Sequence, residues 1–196
     1  MLLSLDPGRQ GFGWGALRTA QLVACNVVPQ PERLRDYQQV PVMQVADAVC
    51  AAIYRDLCAL AERTRDPRLH PDCVRGVVLE RMVHYPPSPG AKIKQDERTR
   101  TKVANDLLDL QLIGALVAAA LCPLMAITLR AAREWKGSTD TAVLERRLLE
   151  GLGTVPPLLD EHERALLLAV KPAGLRHNAV DAISLGLQEC GRVRWV

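Results

Sequence analysis

The chain has 196 residues, 48% of them apolar, and a formal net charge of +3 at pH 7. That is enough apolar material for one core of ordinary size, and it excludes a disordered chain. The mild positive charge permits contact with nucleic acid without requiring it; arginine outnumbers lysine, a bias that suits bidentate phosphate contacts and that a GC-rich genome also produces.

In chain order, residues 1–6, 12–17 and 20–28 are apolar runs separated by turn residues, and they predict three strands. A polar connection over 29–36 leads to apolar residues at helical spacing over 40–65, with Val45, Val49, Ile53, Leu57 and Leu60 on one stripe. Two prolines break the pattern within 66–72, and 73–82 reads as a buried strand ending at Glu80. Residues 84–90 hold three prolines and form a loop, 91–102 are densely charged, and an Ala/Leu-rich helix covers 107–121. A short core strand follows at 126–129. Ser138 or Thr139 would cap a helix to about 149, Gly and Pro break 151–157, a short helix spans 160–170, and the last helix follows Pro172-Ala173-Gly174 to about 190.

Three strands that can form an antiparallel meander, then strands alternating with helices, predict a single α/β domain over 1–196. Its sheet would be mixed and five-stranded, antiparallel first and parallel afterwards, flanked by helices. The uncharged stretch 112–129 is long enough to imitate a membrane span, but Pro123 divides it, so a helix followed by a core strand is expected and no membrane segment. Six cysteines show neither Cys-x-x-Cys pairing nor zinc-ligand spacing with the four histidines, and Asp6 and Arg9 interrupt the apolar start as no signal peptide would. A reducing cytoplasm is the expected location.

Chemistry concentrates in three segments. Leu3-Ser4-Leu5-Asp6-Pro7-Gly8, followed by Gly11-Phe12-Gly13-Trp14-Gly15, ends an apolar strand in a carboxylate and a glycine-rich turn. Val77-Val78-Leu79-Glu80 delivers a second carboxylate, and His177-Asn178-Ala179-Val180-Asp181 a third on a helix. A carboxylate at the end of a buried strand is costly unless a cation meets it. Each also has a plain reading: Asp6 as a turn cap, Glu80 as a solvated strand end paired with Arg81, Asp181 on an outer helix face.

The combination resembles the RuvC-type Holliday junction resolvases, within the RNase H-like nuclease superfamily. The resemblance implies an RNase H-like fold and a crossover junction endodeoxyribonuclease. It would hold two Mg²⁺ per site (Mn²⁺ as a possible substitute), about 4 Å apart. Asp6 would bridge the ions, with Glu80 and Asp181 anchoring one each, and the product would carry 5′-phosphate and 3′-hydroxyl ends. Branched DNA would be the substrate and a homodimer the working form, with helix 107–121 as one candidate for the dimer face and an ordinary core helix as the other.

The family places an Asp or His three positions before its last Asp, where this chain has Asn178; His177 lies four before. Both spacings share a helix face with Asp181, and both residues stay open as the fourth site residue: His177 as ligand or proton relay, Asn178 as a weak carbonyl ligand. For DNA contact the candidates are Tyr85, stacking on an unpaired base, with Lys92, Lys94 and Lys136 on phosphates; a solvated loop is the alternative for the first three. Trp135 beside Lys136 reads as a core residue. Two other functions compete: a branched-DNA-binding protein that cuts weakly or not at all, and an RNase H-like nuclease acting on hybrids or forks. An actin-like ATPase also opens with a strand, an Asp and a glycine-rich turn, but it needs a second lobe and phosphate loop that this length does not supply.

Overall fold

The computed structural model describes residues 1–31, 41–83, 107–123 and 127–195, and the backbone alone of 97–106. Strands β1 (Leu2–Pro7), β2 (Gly11–Arg18) and β3 (Gln21–Pro29) open the chain, followed by helix α1 (Val42–Thr64), β4 (Gly76–Arg81), α2 (Glu97–Leu121) and β5 (Ile127–Ala131). Helices α3 (Ala132–Trp135), α4 (Thr141–Leu149), α5 (Glu161–Leu168) and α6 (Arg176–Glu189) complete it.

The strands form one sheet in the order β3-β2-β1-β4-β5. β1 pairs antiparallel with β2 and β2 with β3, whereas β4 lies parallel to β1 and β5 parallel to β4. This is the mixed five-stranded sheet, antiparallel first and parallel afterwards, that the sequence predicts. The turn over Thr19 and Ala20, both at positive φ, closes β2 onto β3, while the parallel pairs are connected through α1 and α2.

Alternation along each strand decides the two faces. Leu3, Leu5, Phe12, Trp14, Val77 and Leu79 face α1 and α2, which meet them with Val45, Val49, Ile53 and Leu57 and with Leu110, Ile113 and Val117. Val78, Leu22 and Val27 belong to a second core with α4, α5 and α6. Ser4, Asp6 and Glu80 fall in the alternate positions, on the α6 side.

Helix α6 can reach that face because β2 is bare there. A Cβ on Gly13 would lie 2.1 Å from the backbone oxygen of Asn178, and one on Gly15 would lie 3.3 Å from Ile183. Glycine at these positions lets the helix backbone settle on the strand.

Sequence and structure differ at three boundaries. Helix α2 begins at Glu97, inside the charged segment, rather than at 107. The cap of α4 is Asp140, whose carboxylate accepts from Ala142 N at 2.7 Å, and not Ser138 or Thr139. Between β5 and α4 lies the short helix α3, where Ala131 N donates to Glu134 Oε2 at 2.7 Å. The α4 difference arises where several polar residues could cap and only the local backbone path selects one.

The C-terminal segment is tied down by an ion pair that the sequence did not reveal. Glu163, 1% exposed, accepts from Leu22 N at 2.8 Å, from Asp160 N at 2.9 Å, and from both Nη atoms of Arg192. Arg192 also donates to the carbonyls of Ala20 and Leu158. Such a charge is tolerable in the interior only because nearly every lone pair is used.

Candidate active site

Asp6 ends β1 and Glu80 ends β4, at the carboxyl ends of neighbouring parallel strands, where open α/β sheets commonly present ligand sites. The parallel register pairs Leu5 with Leu79, so the next residues, Asp6 and Glu80, continue side by side on one face. Asp6 is 6% exposed and Glu80 9%. The neighbouring Arg81, one residue on and therefore on the opposite face, pairs with Glu134 at 3.4 Å and not with Glu80.

Asp181 comes from the middle of α6, carried across the sheet by the close approach at Gly13. Its carboxylate is fully engaged: Lys136 Nζ donates to Oδ2 at 2.8 Å, and Thr141 Oγ1 lies 3.0 Å from both oxygens. The chain between these two donors is short and sharply turned. Gly137 takes φ 60°, Thr139 N donates back to the Lys136 carbonyl, and Asp140 then starts α4 with Thr141 as its first residue. Two residues on one turn thus converge on one carboxylate.

Electrostatics link the four groups. Burial raises the Asp6 carboxyl well above its ordinary pKa, and the charges of Glu80 and Asp181 raise it further against the pull of Lys136. Burial is also the main cause that pushes Glu80 up to about 7; Lys136 opposes it and Asp181 adds to it. For Lys136, burial works against the ammonium, but Asp181, Glu80 and Asp6 outweigh it and hold its pKa above the usual lysine value. Three acids scattered through the sequence therefore share one electrostatic environment with one lysine at its centre.

Trp135 completes the wall behind Glu80. It is fully buried, and Lys136 Nζ lies 5.0 Å from its ring centroid. Trp135 Nε1 and Glu80 Oε2 are both buried without a hydrogen-bond partner at normal geometry, yet the indole lies near enough to favour the charged carboxyl. The sequence reading of Trp135 as a core residue holds, and the residue also borders the acids. Thr141 was not anticipated at all; the only signal for it was its position just after a helix cap.

The two candidates for the fourth position part company. His177 is exposed. Asn178 is 5% exposed and packs beneath the β1–β2 turn, where a Cβ on Gly8 would lie 2.4 Å from its Oδ1. Its Nδ2 donates to the Leu175 carbonyl at 3.3 Å. The helix therefore presents Asn178, not His177, to the turn that carries Asp6. Tyr85, Lys92 and Lys94 lie outside the described residues; of the four DNA-contact candidates only Lys136 can be placed, and it sits among the acids.

Among the described residues no three His, Cys, Asp or Glu side chains are arranged as a ready metal-binding group. Asp181 is turned to Lys136 and Thr141. The donor set nonetheless suits a hard divalent cation: the oxygens are carboxylate, Glu80 Oε2 is a buried acceptor with no partner, and two of the acids carry pKa values raised first by burial and then by neighbouring carboxylates.

No family model matches the chain, and no curated protein matches it. Solved structures are similar to it, two of them from one bacterium. One is Thermus thermophilus RuvC alone, 16% identical with a TM-score of 0.38, covering 98% of each chain. The other is T. thermophilus RuvC in complex with a Holliday junction substrate, 15% identical with a TM-score of 0.40, covering 95% of this chain and 89% of that one. At such values the likeness decides nothing about chemistry, and the fold class rests on the sheet order and strand directions themselves.

Proposed function

We propose that this protein is a divalent-metal-dependent endonuclease that cuts branched DNA, with the four-way junction as its substrate. The observation that carries the reading is the gathering of Asp6, Glu80 and Asp181, from both ends and the middle of the chain, around Lys136 at the carboxyl ends of β1 and β4. Nothing in the stability of the fold requires three acids there, since buried repelling carboxylates cost free energy.

Asp6, Glu80 and Asp181 would hold Mg²⁺, two ions per site with Mn²⁺ as substitute, and the Asn178 amide oxygen is a further ligand candidate. Bound there, Mg²⁺ supplies Lewis-acid chemistry: it lowers the pKa of an attacking water and neutralises charge on the phosphate. Among the chain's own groups, Lys136 is placed to meet a phosphate oxygen, and Trp135 shields Glu80 from water. Asp6 and Glu80 must both shed their protons before the site can hold a cation, so binding strengthens as pH rises through about 7.

A junction has two equivalent cutting points, which calls for two copies of the site. Helix α2 buries Leu110, Ile113 and Val117 in the core yet leaves Leu108 67% and Leu112 50% exposed, one turn apart on its outer face. That stripe is the surface on which a second copy would dock.

One observation favours a different outcome. Asp181 is occupied by Lys136 and Thr141, and Asn178 supplies an amide where the resolvases have an acid or a histidine, so a protein that holds branched DNA and cuts poorly is the second reading. Matched four-way junction, fork, duplex and RNA–DNA hybrid substrates, incubated in Mg²⁺ and in Mn²⁺, separate the readings. The expected result is metal-dependent cleavage of the junction that falls to background in Asp6→Asn. Tight junction binding without cleavage in either metal would replace the enzyme with the binding protein, and cleavage of hybrids or forks in preference to junctions would reassign the substrate.

A further inference from the structure

We infer that Lys136 is the protein's built-in counter-ion for the acid cluster, and that a divalent metal loads the site only by displacing its ammonium from Asp181. The inference rests on the metal-enzyme reading above and concerns the regulation of that site. Lys136 Nζ donates to Asp181 Oδ2 at 2.8 Å with both side chains mostly buried, 15% and 14% exposed, so this is not a solvated surface pair. The same ammonium attracts Glu80 and Asp6. One positive charge therefore partly compensates three carboxylates, and it occupies the oxygen that a cation would need.

The lysine is anchored at its base and free at its tip. Its backbone follows the buried Trp135, and the ammonium stands 5.0 Å over that ring, while four methylenes allow the tip a second position. A divalent ion and the ammonium cannot share Asp181 Oδ2, because like charges at contact repel strongly in a poorly solvated site. Once displaced, the ammonium needs an anion, and a backbone phosphate supplies one. Metal and DNA thereby strengthen each other's binding: DNA draws the lysine out, and the vacated carboxylate takes the ion. Free of DNA, the protein keeps its acids quiet with its own cation and holds metal weakly.

The experiment is Mn²⁺ binding to the full chain without DNA, followed by calorimetry and by the electron paramagnetic resonance signal of free Mn²⁺. Lys136→Met removes the charge and keeps the stem; Lys136→Gln also keeps a donor for Asp181, and guards against a variant that merely fails to fold; Lys136→Arg keeps the charge. Both neutral variants should bind Mn²⁺ at least about tenfold more tightly than wild type, and Lys136→Arg should not. Metal-free Lys136→Met should also melt below wild type and regain its Tm on adding Mn²⁺. Equal Mn²⁺ affinity in wild type and neutral variants, with Asp6→Asn still weakening it, would overturn the counter-ion and leave the metal enzyme standing. No Mn²⁺ binding in any form, Asp6→Asn included, would overturn the metal enzyme and the counter-ion together.

Discussion

Glu80 illustrates how one side chain sets a pH dependence for the whole protein. Its carboxyl is raised in the folded state, by burial first, to about 7, against an ordinary value of 4.5. A group raised on folding stabilises the native state fully below its unfolded pKa, and that contribution is lost as pH rises through the folded value. Metal-free protein should therefore lose stability between about pH 4.5 and pH 7, by at most about 3 kcal/mol from this residue. Asp6 acts in the same direction. Urea unfolding in EDTA across that range measures the slope, and Glu80→Gln should flatten it. Adding Mg²⁺ should reverse the loss at the upper end, since the ionised acids then have a partner. The neighbouring question of His177 against Asn178 has a similar lesson. Positions three and four before Asp181 both share its side of a helix, so spacing alone could not choose; the packing of Gly8 and Gly11 against Asn178 did.

At the scale of elements, the site depends on how closely α6 approaches β2. Gly13→Ala would place a methyl about where the Asn178 carbonyl now sits, and backbone cannot rotate away as a side chain can. The helix must lift, and it carries Asn178 and Asp181 with it. A loss of about 1–3 kcal/mol in urea unfolding is expected, accompanied by weaker Mn²⁺ binding. A purely local defect would lower stability and leave metal affinity unchanged. The Glu163–Arg192 pair shows the opposite kind of dependence. Glu163 accepts from Leu22, 141 residues away in sequence, and no periodicity on α5 marks it as anything other than the third residue of a capping box. Its burial becomes legible only when the C-terminal segment folds over the β2–β3 turn.

For the whole molecule, paired cutting depends on how many copies act together. Leu108 and Leu112 form the exposed apolar stripe of α2, and a charge placed there should block a docking partner without disturbing the core. Leu112→Glu is expected to shift sedimentation from dimer to monomer while changing unfolding stability by no more than about 0.5 kcal/mol. Metal binding should survive in that monomer, and paired cuts across a junction should give way to single nicks. A wild type that already sediments as a monomer with a junction bound would remove the dimer from the mechanism. Among the described residues no helix is long and apolar enough to cross a membrane, as Pro123 implied.

Local pattern by itself determined the five strands and every helix except α3, because alternation and helical period record which face of each element is apolar, and the short or helical connections between strands gave the mixed direction of the sheet. It also singled out Asp6, Glu80 and Asp181, since a carboxylate at the end of an apolar strand or inside an apolar stretch of helix is conspicuous in one dimension. Only the tertiary structure decided what surrounds them: Lys136 and Thr141 on Asp181, Trp135 behind Glu80, Asn178 rather than His177 under the turn, and Arg192 on Glu163. Such partners are chosen by distance in space, and Coulomb attraction and burial depend on that distance alone, so residues far apart in the chain leave no periodic trace of the pairing.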